Sequence, residues 1–178
     1  TVRLPSFVVQ DGLDEDEALS QTSWGALASI IKSPNQKEYT ERLDQELQVI
    51  KDRGFSKYFL TMKAVSDKAR MTQLSGPARG SAGGSLVAYV LGITQVDPIQ
   101  YNLLFSRFLR ADATDYPDID YDVSDSMSLK EKLVEMWGED CVAPISNWNT
   151  LQLKSLIKDI SKLYNIPFTE VNTVTSIM

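Results

Sequence analysis

The sequence predicts a fold of the α+β or α/β class, in which strands and helices are mixed. Three stretches lead to this prediction. Residues 35–54 have the apolar period of a helix, "YPDIDYDV" at 116–123 alternates as a strand does, and a glycine-rich loop at 76–85 runs into an apolar helix. The chain has 178 residues, of which 43% are hydrophobic, so it can bury a sizeable core.

Helical patterns dominate the first part of the chain. Residues 13–33 begin with acids and end with a lysine, which agrees with the helix dipole. The next helix is predicted from an apolar stripe and from Gly54 as its stop; the stripe comprises Tyr39, Leu43, Leu47 and Ile50. Residues 55–70 are apolar and predict a strand that runs into a helix.

The second part of the chain alternates between the two types of element. Residues 97–110 predict a helix that Asp97 caps, and 116–123 predict the acidic strand. A helix is predicted over 126–138, a strand over "CVAPISNW" at 141–148, and an amphipathic helix over 149–165. The apolar side of the last helix comprises Leu153, Leu156, Ile157, Ile160 and Leu163.

The acidic strand places Asp118, Asp120 and Asp122 on one face, with apolar residues between them. Neighbours on one face of a strand lie roughly 6.5 to 7 Å apart. Because aspartate is a poor strand former, its presence needs a reason. One reason is a hard divalent cation, which binds carboxylate oxygens. The other is the exposed polar face of an amphipathic strand, and the spacing alone does not choose between them.

The loop "GPARGSAGGS" also has two interpretations. It is either a tight turn that needs glycines or a phosphate-binding loop, since bare amides before a helix attract anions. It matches neither a Walker A motif nor a dinucleotide fingerprint. Arg79, Ser81 and Ser85 favour phosphate binding, because they add a cation and hydroxyls. A phosphate-binding loop together with paired carboxylates is typical of metal-assisted phosphoryl or nucleotidyl transfer.

Composition excludes several kinds of site. The chain has no histidine and a single cysteine, which excludes histidine-based catalysis, an intramolecular disulfide and a cysteine-built zinc site. Any metal must therefore be bound by oxygen. The net charge of −6 argues against nucleic-acid binding by bulk charge alone. No apolar run is long enough to cross a bilayer, so we expect no membrane partner and a cytoplasmic protein.

Three sequence blocks resemble the family C DNA polymerases, the alpha subunits of bacterial DNA polymerase III. The family pattern GPGRGSGAGSLVAY corresponds to "GPARGSAGGSLVAY" here, xITxxDPLxxxLLFERFL to "GITQVDPIQYNLLFSRFL", and PDFDxDF to "PDIDYDV". The blocks occur in the family's order without gaps. In a looser form the resemblance covers nearly the whole chain.

The resemblance implies a fold and a division of the chain. The fold would be a polymerase-beta-like nucleotidyltransferase palm, a mixed sheet with helices, followed by a partial helical thumb. The palm would occupy residues 1–140, including the helices before the glycine loop, and the thumb would begin over 141–178. The host would be a bacterium or a phage-infected cell.

The resemblance also implies roles for site residues. Asp118 and Asp120 would be the catalytic aspartates that bind two Mg²⁺ ions, with Asp122 as a supporting metal ligand. The incoming deoxynucleoside triphosphate would be bound by residues of the loop and by one later arginine, namely Arg79, Gly80, Ser81 and Arg107. The implied activity is replicative DNA-directed DNA synthesis by two-metal nucleotidyl transfer to a primer 3′-hydroxyl.

The chain departs from the family pattern in two ways. Ala78 replaces a usual glycine, and "AGG" stands where "GAG" is typical. The family's third catalytic aspartate comes from a later strand, beyond residue 178. We therefore expect the rest of the polymerase as a partner, in cis or as a separate chain, besides primer–template DNA. The alternative is a catalytically incomplete nucleotide- or DNA-binding or assembly module, from a split, truncated or phage-encoded relative, that is inactive alone.

Three lysines on the last helix lie four residues apart, opposite its apolar side: Lys154, Lys158 and Lys162. They predict contacts with DNA phosphates if this helix belongs to a thumb. The alternative is an ordinary solvated helix face.

Overall fold

A computed structural model describes Leu4, residues 13–30, 36–146, Trp148, Thr150 and residues 152–177. None of the helices in these ranges is both long and apolar enough to span a bilayer. The α-helices of the described part are α1 (Glu15–Ile30), α2 (Gln36–Asp52), α3 (Ser56–Thr72), α4 (Leu86–Val90), α5 (Ser126–Trp137), α6 (Leu153–Leu163) and α7 (Phe168–Ile177). Short 3-10 helices occupy Gly80–Gly84, Phe105–Arg107 and Glu139–Cys141.

The core is built around the short helix α4. It packs against α1 and α2, and α1 also packs against α3. Leu86, Val87 and Ala88 in α4 are completely buried. Burying one leucine or valine of this kind stabilises a protein by about 1.5–3 kcal/mol. The helix that directly follows the glycine loop is therefore firmly anchored in the core.

Helix α2 has the apolar stripe and the stop that the sequence predicts. Tyr39, Leu43 and Ile50 are buried, whereas Leu47 is half-buried. The helix ends at Gly54, which has a φ of 69°. The Gly54 amide donates to the Lys51 carbonyl at 2.9 Å, and the next amide donates to the Ile50 carbonyl at 3.0 Å. This is the Schellman arrangement that favours glycine.

The prediction of a mixed α+β palm sheet is wrong for the described residues, because they contain helices and no β-strand. The acidic segment is extended, but its only ladder contact in the described part is an isolated antiparallel bridge between Ser75 and Val123. Alternating residues predict an extended backbone with two faces. They do not specify whether the partner of that backbone is another strand or a helix.

Helix α3 is the partner of the acidic segment. Near its start, the Tyr58 ring lies 5.4 Å from that of Tyr116. Further along, Tyr121 donates from its hydroxyl to Ser66 Oγ at 3.2 Å. Beyond the end of the helix, the Asp125 amide donates to Gln73 Oε1 at 2.7 Å. The segment therefore runs beside α3 in the same direction and is held largely by side chains.

Three other element predictions are also corrected. Residues 56–70 are entirely helical, so the strand predicted at their start is absent. Residues 97–110 form turns and a short 3-10 helix instead of one helix, although Asp97 accepts the amides of Ile99 and Gln100 as a cap does. The strand predicted at 141–148 does not form over 141–146, and Asn147 lies outside the described residues.

The chain separates into two compact units, Thr1–Ala143 and Pro144–Met178. The assignment of 1–140 to a palm and 141–178 to a thumb stays a prediction. In the second unit, α6 and α7 pack against each other and bury Ser161, Val171 and Thr175. Several large apolar side chains of this unit remain exposed, including Leu163 at 81% and Phe168 at 68%.

Candidate functional site

The glycine loop divides into an anchored half and an exposed tip. Ala82, Gly83 and Gly84 are buried, whereas Arg79, Gly80 and Ser81 are exposed. Gly80 has a φ of 62°, a left-handed conformation that glycine adopts at low cost. The tip therefore presents a cation, a bare backbone and a hydroxyl to solvent.

The acidic segment alternates as the sequence predicts. Asp118, Asp120 and Asp122 are exposed, while Ile119 is buried and Tyr121 is half-buried. The apolar side chains face the first unit's core, and the carboxylates face outward. A metal site and an exposed polar strand face would both require this orientation, so burial alone does not decide between these two interpretations.

The loop and the acidic segment are in direct contact. The Gly76 amide donates to the Asp122 carbonyl at 2.9 Å. A Cβ added to Gly80 would lie 2.6 Å from Asp120 Oδ2, so glycine at this position leaves space for the Asp120 carboxylate. The structure thus brings together Gly80, from the predicted phosphate-binding loop, and Asp120, from the predicted metal-binding segment.

Arg79 forms an ion pair with the acidic segment. Its Nη1 donates to Asp122 Oδ1 at 2.9 Å. The hydrogen bond and charge of Asp122 raise the pKa of the Arg79 guanidinium, and the charge of Asp120 contributes further. Arg79 therefore lies in the field of two carboxylates, and it is paired with a residue that the sequence assigns to metal binding.

Asp118 lies beside α3. Burial raises the pKa of the Tyr58 hydroxyl, the backbone of Ile119 lowers it through a hydrogen bond, and the negative charge of Asp118 raises it again. Asp120 and Asp122 have different neighbours on the loop, namely Gly80 for Asp120 and Arg79 for Asp122.

A groove of about 390 Å³ lies on one side of the loop. Gly80 and Ser81 line it on the side of the loop, and Arg107 lines it together with residues 102–104. Three of the four residues predicted to bind nucleotide therefore share one groove. The fourth, Arg79, points to Asp122 instead.

A site for divalent metal is formed only in part by the described residues. Within them, no three acidic, histidine or cysteine side chains converge so as to hold an ion. Asp118 and Asp120 offer hard oxygen ligands, and Asp122 is engaged by Arg79. Mg²⁺ in phosphate-transfer sites is commonly bound by one or two carboxylates plus waters and substrate phosphates. The donor set fits such an ion when a triphosphate supplies the remaining ligands.

Two residues that support this groove, Arg42 and Glu46, were not predicted from the sequence. Glu46 is completely buried, and its carboxylate accepts the amides of Leu86 and Val87, each at 3.0 Å. It also accepts from Arg42 Nε at 2.6 Å. The signal was present in the sequence, since Glu46 falls on the apolar stripe of α2 between Leu43 and Ile50.

The three lysines of α6 have different surroundings. Lys162 Nζ lies 2.9 Å from Asp159 Oδ1 in an exposed ion pair, and Lys158 Nζ lies 5.6 Å from the centre of the Phe168 ring. Lys154 is exposed. Their predicted role in DNA binding stays a prediction.

Comparison with known proteins identifies the family. A family model described as the bacterial DNA polymerase III alpha NTPase domain matches residues 17–178. The chain belongs to the bacterial DNA polymerase III alpha family.

Related alpha subunits match the chain throughout. The chain is 36% identical to DNA polymerase III subunit alpha of Aquifex aeolicus over 100% of its own length, and 38% identical to that of Bacillus subtilis over 99%. In each case it spans 16% of the relative's length. The resemblance to family C alpha subunits is thereby confirmed, and the chain corresponds to about one sixth of such a subunit.

Proposed function

We propose that this chain is the nucleotide-binding part of a replicative DNA-directed DNA polymerase. The reaction would add a deoxynucleotide to a primer 3′-hydroxyl, whose oxygen attacks the α-phosphate as pyrophosphate leaves. The contact between Gly80 and Asp120 carries the proposal, because it joins a phosphate-binding loop to a carboxylate. The 36% and 38% identity to alpha subunits supports it.

Each residue would have a distinct task. Gly80 and Ser81 would bind the β- and γ-phosphates with a backbone amide and a hydroxyl, and Arg107 would add positive charge from the opposite wall. Asp118 and Asp120 would hold the two Mg²⁺ ions, with Asp122 in support. Bound Mg²⁺ supplies charge neutralisation and lowers the pKa of a coordinated hydroxyl.

Arg79 would exchange partners when nucleotide binds. In the structure it is paired with Asp122, and both side chains are more than half exposed. An exposed ion pair of this kind contributes little stability, so it can be replaced without large cost. A triphosphate arriving at Gly80 would offer Arg79 a more highly charged partner next to its present position.

The rest of the polymerase would be the protein partner. Exposed large apolar side chains in the second unit support this proposal, since α6 and α7 carry several of them and large exposed apolar surface commonly marks an interaction site. They include Leu153, Leu163, Phe168 and Ile177. Primer–template DNA would be contacted by Lys154, Lys158 and Lys162, and the setting would be the cytoplasm of a bacterium or a phage-infected cell.

The second candidate is a module that binds nucleotide or DNA without turnover. It is favoured because, among the described residues, no third carboxylate converges with Asp118 and Asp120, and Asp122 is paired with Arg79. Primer extension separates the candidates, with the chain tested alone and after mixing with the remaining part of an alpha subunit. Activity that appears on mixing supports the polymerase, and no activity in either case supports the binding module.

Metal and nucleotide binding provide a more direct test. Manganese titration and binding of a fluorescent deoxynucleoside triphosphate should both weaken in Asp118→Asn and Asp120→Asn. Asp115→Asn is a matched control, since it removes the same charge from an exposed residue three positions upstream of Asp118. Equal binding by all three variants and the wild type would remove the site from this segment.

A further inference from the structure

The groove beside the glycine loop has two walls that come from different parts of the chain. One wall is the loop itself, up to Gly84, and the other is the turn at 102–104 followed by Arg107. A Cβ added to Gly84 would lie only 2.8 Å from the Leu104 carbonyl oxygen. The two walls therefore approach to backbone contact distance at Gly84 and Leu104.

Arg42 joins these two walls from beneath. Its Nη2 donates to the Gly84 carbonyl at 2.8 Å and to the Leu103 carbonyl at 3.0 Å. One nitrogen of one guanidinium thus binds a carbonyl from each wall. A planar guanidinium holds such a geometry more rigidly than a lysine ammonium does.

Glu46 fixes the orientation of Arg42 and of the loop's end. It accepts from Arg42 Nε at 2.6 Å, from Ser85 Oγ at 2.9 Å and from the first two amides of α4. In each of these contacts, the partner donates a hydrogen bond to the Glu46 carboxylate. Burial raises the pKa of Glu46, and the amides of Leu86 and Val87 and the Arg42 guanidinium counteract part of that rise.

We propose that Arg42 and Glu46 are positioning residues for the nucleotide groove, which set the separation of Ser81 from Arg107 without touching nucleotide themselves. The effect on nucleotide binding rests on the proposed function, since the groove is the site assigned to the triphosphate. A buried carboxylate on the apolar stripe of a helix is costly unless it is hydrogen-bonded. The hydrogen bonds that Glu46 accepts offset this cost.

The first readout is the width of the groove. Ser81→Cys places a spin label on the loop wall, and Ser106→Cys places one at the exposed residue next to Arg107 of the other wall, in a chain whose exposed Cys141 is changed to serine. Dipolar coupling between the labels should be narrowly distributed in this parent and broadened in Arg42→Lys, which keeps the charge. An unchanged distribution in Arg42→Lys would overturn the proposal, whether or not the chain binds nucleotide.

The second readout is nucleotide affinity, measured without the labels. Arg42→Lys and Glu46→Gln should weaken magnesium–deoxynucleotide binding by roughly tenfold or more, because a misplacement of about 1 Å in a site can cost on the order of 100-fold. Ile50→Val and Ile50→Ala are controls, because they destabilise the same helix away from the groove. Affinities that follow thermal stability alike in all four variants would overturn the positioning role.

The two proposals can fail separately. A wild-type chain that binds no magnesium–deoxynucleotide contradicts the proposed function, and the label distances still decide whether Arg42 sets the groove width. If Glu46→Gln does not fold, Arg42→Lys alone decides, since it keeps a cation next to Glu46. A broadened groove with undiminished nucleotide affinity would refute the role in nucleotide binding.

Discussion

Replacing Gly80 by alanine tests whether the loop and the acidic segment act together. Gly80 has a φ of 62°, and its added Cβ would lie 2.6 Å from Asp120 Oδ2. Gly54 offers a matched control, since its φ is 69° and nothing lies within 4 Å of an added Cβ. The two substitutions therefore have a similar backbone cost, and only one of them displaces the carboxylate.

The expected magnitudes follow from this geometry. An alanine in the left-handed region costs roughly 1–2 kcal/mol, which the lower entropy of the unfolded chain offsets by about 0.4–1 kcal/mol. Both variants should thus lose about 1 kcal/mol, or about 2–4 °C in melting temperature for a chain of this size. In Gly80→Ala, Asp120 Oδ2 must also retreat by about 0.8 Å to reach ordinary contact at 3.4 Å.

That retreat is large for a site that binds a metal or a reacting group. A misplacement of about 1 Å can cost on the order of 100-fold in activity. We expect Gly80→Ala to weaken manganese and deoxynucleotide binding by about tenfold or more, with Gly54→Ala close to the wild type.

The assays are thermal unfolding by circular dichroism, manganese titration and binding of a fluorescent deoxynucleotide. Equal binding losses in the two alanine variants would show that stability, and not the Asp120 contact, is responsible. Full binding by Gly80→Ala would refute the reasoning altogether.

The remaining predictions concern three other parts of the chain. Asp122→Asn should weaken manganese binding less than Asp118→Asn does, because Arg79 already occupies the Asp122 carboxylate; equal losses in titration would make Asp122 a full ligand. Burial and the hydrogen bond to Asp97 raise the pKa of Tyr39 to about 12, above the unfolded value near 10. Stability from this residue should be lost as pH rises from about 10 to 12, and Tyr39→Phe should reduce the alkaline dependence of unfolding without abolishing it, because burial also raises the pKa of Tyr58 and of Tyr89; an undiminished dependence in the variant would contradict the prediction. Glutamine should replace all three lysines of α6, namely Lys154, Lys158 and Lys162. The slope of log DNA affinity against log salt concentration should then become shallower by about 0.9 for each lost phosphate contact. An unchanged slope would assign these residues to a solvated helix face.

Local features of the fold were predictable where one helix or one turn decides them. The stripe of α2 and the glycine that ends it depend on residues within a few positions of one another, so Leu43 and Gly54 were predicted correctly. The orientation of Asp118 and Asp120 was predictable for the same reason, since an extended chain alternates its faces.

The partner of the extended segment was not predictable from its own residues. Tyr116 and Tyr121 would be equally suited to a sheet, and only their contacts with Tyr58 and Ser66 show that a helix lies beside them. Tertiary context decides whether an alternating segment joins a ladder. The sheet prediction failed at this step, whereas the family was recognised because its motifs are contiguous.

The site was predictable as a set of residues and less so as a set of contacts. Gly80, Ser81 and Arg107 do share a groove, but the pairing of Arg79 with Asp122 required the structure. Glu46 could have been singled out as a charge on an apolar stripe. Its partners at Leu86 and beyond lie some forty residues away, which no local pattern connects.

The attachment of the acidic segment to α3 has a mechanical consequence. Tyr58 and Ser66 hold the segment at successive heights of α3, and Gln73 holds it just beyond the end of that helix, so sliding the helix along its axis would carry the aspartates as a rigid row. A shift by a single residue amounts to about 1.5 Å, three times the roughly 0.5 Å within which reactive groups must be held. Substitutions on the far side of α3, remote from any substrate, would therefore tune the alignment of the whole row.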